Sequence, residues 1–325
     1  MKTVFLDFDS LHPADLLLET MQNELTDVTT WPVTQLNELH ERTRDAEALV
    51  VNKLRIDAAA MDAVPTLQLI CLAATGTDNV DLDAARERGI AVSNIREYCT
   101  PSVVQHVFAL ILALNQNLFE NRALVDNGAW QSSSQFCLLE PTFRELQGQT
   151  LGLIGLGALG SGVAGVARAF GMRVIAARLP WRSAAPTSDA GQSAPRLPLH
   201  ELLQQSDVLS LHCPLTEDTR HIIDSAALEQ MKIDALLINT ARGGLVDSNA
   251  LLDALKNGEI AGAGIDVLPE EPPVHSDPLL DAQLVNLIVT PHIAWSARES
   301  RQRALDEIVA NIVAFRDGEE RNRIC

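Results

Sequence analysis

"TLGLIGLGALGSGVAGVARAFGMRVIAAR", residues 150–178, opens on an apolar β-type run and turns through Gly155, Gly157 and Gly160 in the spacing G-x-G-x-x-G. It continues as a small-residue helical stretch and ends on a second apolar run. Strand, glycine turn, helix and strand in that order make a dinucleotide-binding βαβ unit. Gly155 allows the tight turn, Gly157 lets the backbone approach a pyrophosphate, and Gly160 lets the helix pack closely on its strand. The N–H groups of the helix start, at Ala158 and Leu159, then face the phosphates. NAD-specific versions usually end the second strand on Asp or Glu, which binds the ribose 2′-hydroxyl. Here that position holds Arg178. A guanidinium can pair with a 2′-phosphate, helped by Arg182, Ser183 and Thr187, or it can stack on the adenine. The first reading makes NADP(H) the preferred cofactor, with NAD(H) possible.

Outward from this unit the same alternation recurs. "VLSLHCP", "ALLINTA", "AGAGIDV" and "NLIVTPH" are near-continuous apolar strands separated by helical patterns, as in a parallel sheet covered on both faces. Upstream, "KTVFLDF", "ALVVNKL", "LQLICLAA" and "IAVSN" alternate with helical stretches and form a first βα domain. Between the two, residues 100–128 read as one long apolar helix and 129–147 as a loop. The stretch "WRSAAPTSDAGQSAPRLP", 181–198, reads as an exposed loop, and the last amphipathic helix ends at Gly318.

A length of 325 residues suits two domains. Composition is globular, with 46% apolar and 21% charged residues. The start, "MKTVFLDFD", reads as a first strand and not as a secretory signal, so a cytoplasmic location is the default. Five cysteines, at 71, 99, 137, 213 and 325, have no metal-ligand spacing, and buried thiols are expected. A net charge of −18 repels polyanions, which argues against nucleic acid and anionic membrane as partners. An anionic ligand must then be captured locally.

Three further segments join turn residues to reactive groups. "INTARGGLVD" places Arg242 at a strand end, "GIDVLPEEPP" places Glu271 in a proline-rich turn, and "IVTPHIAW" places His292 just past a strand. Ligand crevices in open parallel sheets lie outside the carboxyl ends of the strands, where all three fall.

With these motifs the chain resembles the D-isomer-specific 2-hydroxyacid dehydrogenases over nearly its full length, most closely the glycerate dehydrogenase or hydroxypyruvate reductase branch. The resemblance implies an α/β protein of two Rossmann-like doubly wound parallel-sheet domains with an interdomain active-site cleft. The substrate-binding domain would span 1–100, completed by 296–325, and the dinucleotide domain 101–295. It implies a homodimer built largely on the cofactor domains. It also makes Arg242, Glu271 and His292 catalytic. His292 would protonate the keto oxygen while hydride reaches the 2-keto carbon, with the Glu271 carboxylate beside it pairing with the imidazolium and holding its orientation. Arg242 would polarise the carbonyl and grip the substrate carboxylate. A glutamate at 271 favours a hydroxyacid substrate, since formate dehydrogenases of this family carry glutamine there. Cys213, Pro214, Thr240, Ala241 and Asp266, at the ends of later strands, are expected to complete the cofactor site.

"AATGTDNVD" resembles the family's substrate loop, where the N–H groups of Thr75, Gly76 and Thr77 can bind a carboxylate or simply shape a turn. Asn52 and Lys53 stand at another strand end with the same two options. Trp295, with Trp130 and Phe136, either lines a small pocket or packs as ordinary aromatic core. The expected reaction is reduction of hydroxypyruvate or glyoxylate. The alternatives are a 3-phosphoglycerate dehydrogenase-like enzyme, disfavoured by the absence of an appended regulatory domain, and a dinucleotide-sensing corepressor, disfavoured by the absence of low-complexity tails.

Overall fold

The computed structural model describes residues 1–179 and 194–325, so Arg182, Ser183 and Thr187 lie outside the described residues. The chain divides into two compact units, one comprising Met1–Cys99 with Trp295–Cys325 and the other Thr100–Ala294.

The first unit is built on a five-stranded parallel sheet of β1 (Thr3–Phe5), β2 (Val28–Thr30), β3 (Ala48–Val51), β4 (Leu69–Leu72) and β5 (Ala91–Ser93), in the order β2-β1-β3-β4-β5. β3 and β4 are buried at every residue, which is why they read as unbroken apolar runs. One face packs on Leu39, Ile56, Met61 and Val64. The C-terminal helix Arg298–Arg316 also packs on β4 and on the helix Glu19–Glu24. Beyond that helix the chain closes the β5 edge: Ile324 N–H donates to Val92 O at 2.8 Å, and Val92 N–H to Cys325 O at 3.1 Å. A covered edge cannot recruit a foreign strand.

The second unit carries seven parallel strands, β6 (Thr150–Ile154), β7 (Arg173–Ala177), β8 (Arg196–Leu197), β9 (Val208–Leu211), β10 (Leu236–Asn239), β11 (Gly262–Ile265) and β12 (Leu287–Val289). Their order is β12-β11-β10-β9-β6-β7-β8. Chain order reverses between β6 and β9, and that switch point is where open α/β sheets bind ligands. On one face Leu209, Leu211, Leu237 and Ile265 share a core with Leu202, Leu228, Leu251 and Leu255. Each such buried aliphatic side chain contributes about 1.5–3 kcal/mol. The helix Thr100–Asn115 packs against β10, β11, β12 and the helix Ala158–Ala169.

Both sheets have the α/β, parallel character expected from the sequence, with three differences in detail. β2 and the two-residue β8 were not foreseen. The single helix expected over 100–128 is two, Thr100–Asn115 and Leu118–Asp126, bent by 54°. The break falls at Asn117, which takes φ +49 and donates from Nδ2 to Thr142 O at 3.0 Å. Asparagine is among the few non-glycine residues that tolerate this left-handed conformation. Among the described residues no single helix is long and apolar enough to cross a membrane.

Candidate active site

The glycine turn follows β6 and opens the helix Ala158–Ala169. Gly155 has φ +105, and a Cβ there would lie 2.4 Å from His212 O and 2.8 Å from Cys213 N. Only glycine fits, and its fit puts the turn directly against the end of β9, where Cys213 and Pro214 follow. A Cβ on Gly160 would sit 2.2 Å from Gly155 O, whereas a Cβ on Gly157 would meet no heavy atom within 4 Å among the described residues beyond its own chain neighbours. The turn is therefore tight below and open at Gly157. The N-cap residue Gly157 offers no side-chain cap to the N–H groups of the first helical turn, and Ala158 is exposed.

These features fit a bound dinucleotide: open space at Gly157, uncapped N–H groups, and the buried Thr240 Oγ1, which has no hydrogen-bond partner among the described residues. Thr240 and Ala241 directly follow β10. Arg178 directly follows β7, is exposed, and donates its backbone N–H to Leu197 O at 2.7 Å. Burial pushes the Cys213 thiol up to about 11, so it stays neutral. His212 was missed in the sequence. Burial holds its imidazole down at about 4, and its Nε2 lies 2.9 Å from Ser210 Oγ.

Arg242 stands on a turn shaped by Asn239. The Asn239 side chain donates from Nδ2 to Arg242 O at 2.8 Å and accepts from Ala241 N–H at 3.0 Å. The Arg242 guanidinium donates to Ala241 O at 2.8 Å. The next residue, Gly243, has no room for a side chain: a Cβ would lie 2.0 Å from the Leu268 carbonyl carbon. That close approach seats the arginine turn on the glutamate turn. Glu271 Oε1 in turn accepts from Leu268 N–H at 2.9 Å, and its Oε2 lies 2.5 Å from His292 Nδ1. The two side chains are 29% and 27% exposed, enough to be reached and too little to be freely hydrated. With Nδ1 directed at the carboxylate, Nε2 is the ring nitrogen that Glu271 does not engage.

His292 takes φ +54, a backbone conformation that costs an L-residue roughly 1–2 kcal/mol. Its N–H donates to Asp266 O at 2.8 Å. The Asp266 side chain is buried and accepts from Thr290 Oγ1 at 2.6 Å and from the N–H groups of Ile293 and Ala294, both at 2.9 Å. Asp266, expected at the cofactor, also stands under the histidine turn.

In the first unit Asn52 is also engaged locally. Its N–H donates to Asp7, its Nδ2 to Ser10 Oγ at 3.1 Å, and its carbonyl accepts from Asn79 Nδ2 at 3.2 Å. Lys53 N–H donates to Asp7 Oδ2 at 2.8 Å. Burial raises the Asp7 carboxyl against these backbone hydrogen bonds. By contrast, the backbone N–H groups of Thr75, Gly76 and Thr77 have no acceptor among the described residues. Trp295 meets Tyr98 edge-on with ring centroids 6.2 Å apart. Trp130 and Phe136 are exposed, and Trp130 Nε1 donates to Phe136 O at 3.0 Å.

Residues 108–294 match the family model described as the NAD binding domain of D-isomer specific 2-hydroxyacid dehydrogenases. The chain belongs to that family. It is 42% identical over 321 residues to a glycerate dehydrogenase of Methylorubrum extorquens, covering 99% of this chain and 98% of the relative. It is 34% identical to a hydroxypyruvate reductase of Blautia hydrogenotrophica, covering 98% of each. Among solved structures it superposes on an acyclic imino acid reductase in complex with NADPH and D-Arg with a TM-score of 0.85, at 30% identity and with full coverage of both chains. The chain is accordingly an oxidoreductase of the D-2-hydroxyacid dehydrogenase family with a nicotinamide-dinucleotide domain.

Proposed function

We propose that the protein reduces a small 2-ketoacid, hydroxypyruvate first and glyoxylate second, to the D-2-hydroxyacid, with NADPH preferred over NADH. The observation that carries this reading is the 2.5 Å contact between Glu271 Oε2 and His292 Nδ1. It leaves Nε2 as the atom that gives a proton to the keto oxygen, while Glu271 balances the charge and fixes the ring. When bound, the cofactor supplies hydride to the 2-keto carbon. The Gly155, Gly157 and Gly160 turn with Ala158 and Leu159 holds the pyrophosphate, and Cys213, Pro214, Thr240 and Ala241 border the dinucleotide. Arg242 stabilises charge developing on the keto oxygen and binds the substrate carboxylate, as do the N–H groups of Thr75, Gly76 and Thr77. Trp295 and Lys53 border the substrate. Arg178 pairs with the 2′-phosphate.

The test is a panel of short 2-ketoacids assayed with NADPH and with NADH. Reduction of hydroxypyruvate and glyoxylate is expected, with a higher kcat/KM for NADPH, and Arg178→Asp should reverse the cofactor order. A protein inert toward every short 2-ketoacid contradicts the reaction, and a wild-type preference for NADH contradicts the role of Arg178.

A further inference from the structure

The helix Thr100–Asn115 reaches the histidine turn at two points one helical turn apart. Ser102 Oγ donates to Ala294 O at 2.7 Å, and four residues on, His106 Nε2 lies 3.0 Å from Thr290 Oγ1. Residues at i and i+4 share a helix face, so one face of one helix holds both ends of the turn. The direction of the second contact follows from counting hydrogens. Thr290 has one hydroxyl hydrogen, and it goes to Asp266 Oδ1 at 2.6 Å. The threonine oxygen is then left to accept, and His106 must donate from Nε2. That nitrogen also lies 3.5 Å from Asp266 Oδ1.

The result is an ordered chain. His106 donates to Thr290, and Thr290 donates to Asp266. The buried Asp266 carboxylate gathers the N–H groups of Ile293 and Ala294, and its carbonyl accepts from His292 N–H. His292 holds a left-handed backbone conformation, φ +54, that persists only where its surroundings impose it. Asp266 bonds the backbone on both sides of that conformation, and His106 reaches Asp266 through Thr290.

We propose that His106 is a positioning residue for the reaction, acting through Thr290 and Asp266 to hold His292 in register with Glu271. The proposal rests on the reading of His292 as proton donor. It gives a polar task to the one histidine of a largely apolar helix, at a position the catalytic motifs do not include.

The test compares His106→Leu, which removes the donor, with His106→Gln, which keeps an N–H donor, and with Thr290→Val, which removes the bridging hydroxyl at similar volume. The readouts are kcat and KM for hydroxypyruvate, the NADPH Kd from fluorescence, and the downfield proton resonance of His292 Nδ1–H. His106→Leu and Thr290→Val should each lower kcat about tenfold, with the NADPH Kd within about twofold of wild type. His106→Gln should recover most of the loss, as it would not if only packing volume mattered. The downfield resonance should move in the two damaged variants and return toward its wild-type position in His106→Gln. Unchanged kcat and an unmoved resonance in His106→Leu would overturn the proposal, as would a loss confined to NADPH binding. Should His106→Leu fail to fold, Thr290→Val decides by the same outcomes. A wild-type protein inert on every ketoacid removes the reading of His292 instead, and the resonance then still decides whether His106 positions it.

Discussion

At the scale of single residues, the site depends on places where one atom more would be too many and on one place where it would not. A Cβ at Gly155 or Gly243 would run into backbone, so those glycines are needed for the fold of the turns themselves. A Cβ at Gly157 would meet nothing within 4 Å among the described residues beyond its own chain neighbours, so their packing has no need of a glycine there. Gly157→Ala should therefore leave the Tm unchanged while raising the Kd for NADPH by about tenfold or more, a loss of about 1.4 kcal/mol. Equal Kd values by fluorescence titration would show that nothing approaches the turn there. The positions of these groups were legible in the sequence, because G-x-G-x-x-G, Arg242, Glu271 and His292 all fall where apolar runs end; the backbone contact that requires Gly243 was not. His106 was not legible: a lone histidine in "PSVVQHVFALILAL" looks like any core residue until Thr290 is placed beside it. Asp266 and Asn52 were recognised as strand-end polar groups, but their partners, Thr290 and Ser10, lie 24 and 42 residues away in sequence.

At the scale of elements, the strands of the second unit were readable because burial on both faces leaves them apolar throughout. β2 was not, since Val28–Thr30 is three residues long and partly exposed, and β8 is a two-residue pair flanked by Pro195 and Pro198. The C-terminal helix is tied to its unit by a contact no pattern announces. Arg301 bonds Asp15 through both terminal nitrogens, at 2.6 and 2.8 Å, and also donates to Leu11 O and His12 O. The hydrogen bond from Arg301 holds the Asp15 carboxyl at about 2, below its ordinary value of 3.8. A carboxyl lowered in the folded state adds stability that is complete above its unfolded value and disappears as pH falls through the folded one. Asp15→Asn should therefore lower the Tm by a few degrees at neutral pH, with the gap steady down to pH 4 and closing toward pH 2. A gap that is unchanged across this range, or that opens on acidification, would contradict the assignment.

At the scale of the whole molecule, the exposed apolar residues are unevenly spread. Leu118, Phe119, Phe136, Leu139 and Phe143 are 49%, 61%, 88%, 78% and 60% exposed and fall within one stretch of chain. An apolar concentration of this kind is a reason to propose a homodimer. Light scattering behind size exclusion should return about twice the chain mass of 35.3 kDa, and Phe136→Glu should shift it toward one chain; a monomeric wild type would contradict the proposal. The net charge of −18 gives the captured anions a local problem to solve, and Arg178, Arg242 and the N–H groups of Thr75–Thr77 are the proposed solution. The most direct check on the chemistry is the rate of NADPH oxidation by hydroxypyruvate in His292→Gln, with cofactor binding measured alongside. The pairing of His292 with Glu271 predicts a fall in kcat of about a hundredfold to ten-thousandfold at an unaltered NADPH Kd. A variant that turns over as fast as wild type would show that the keto oxygen takes its proton from somewhere else.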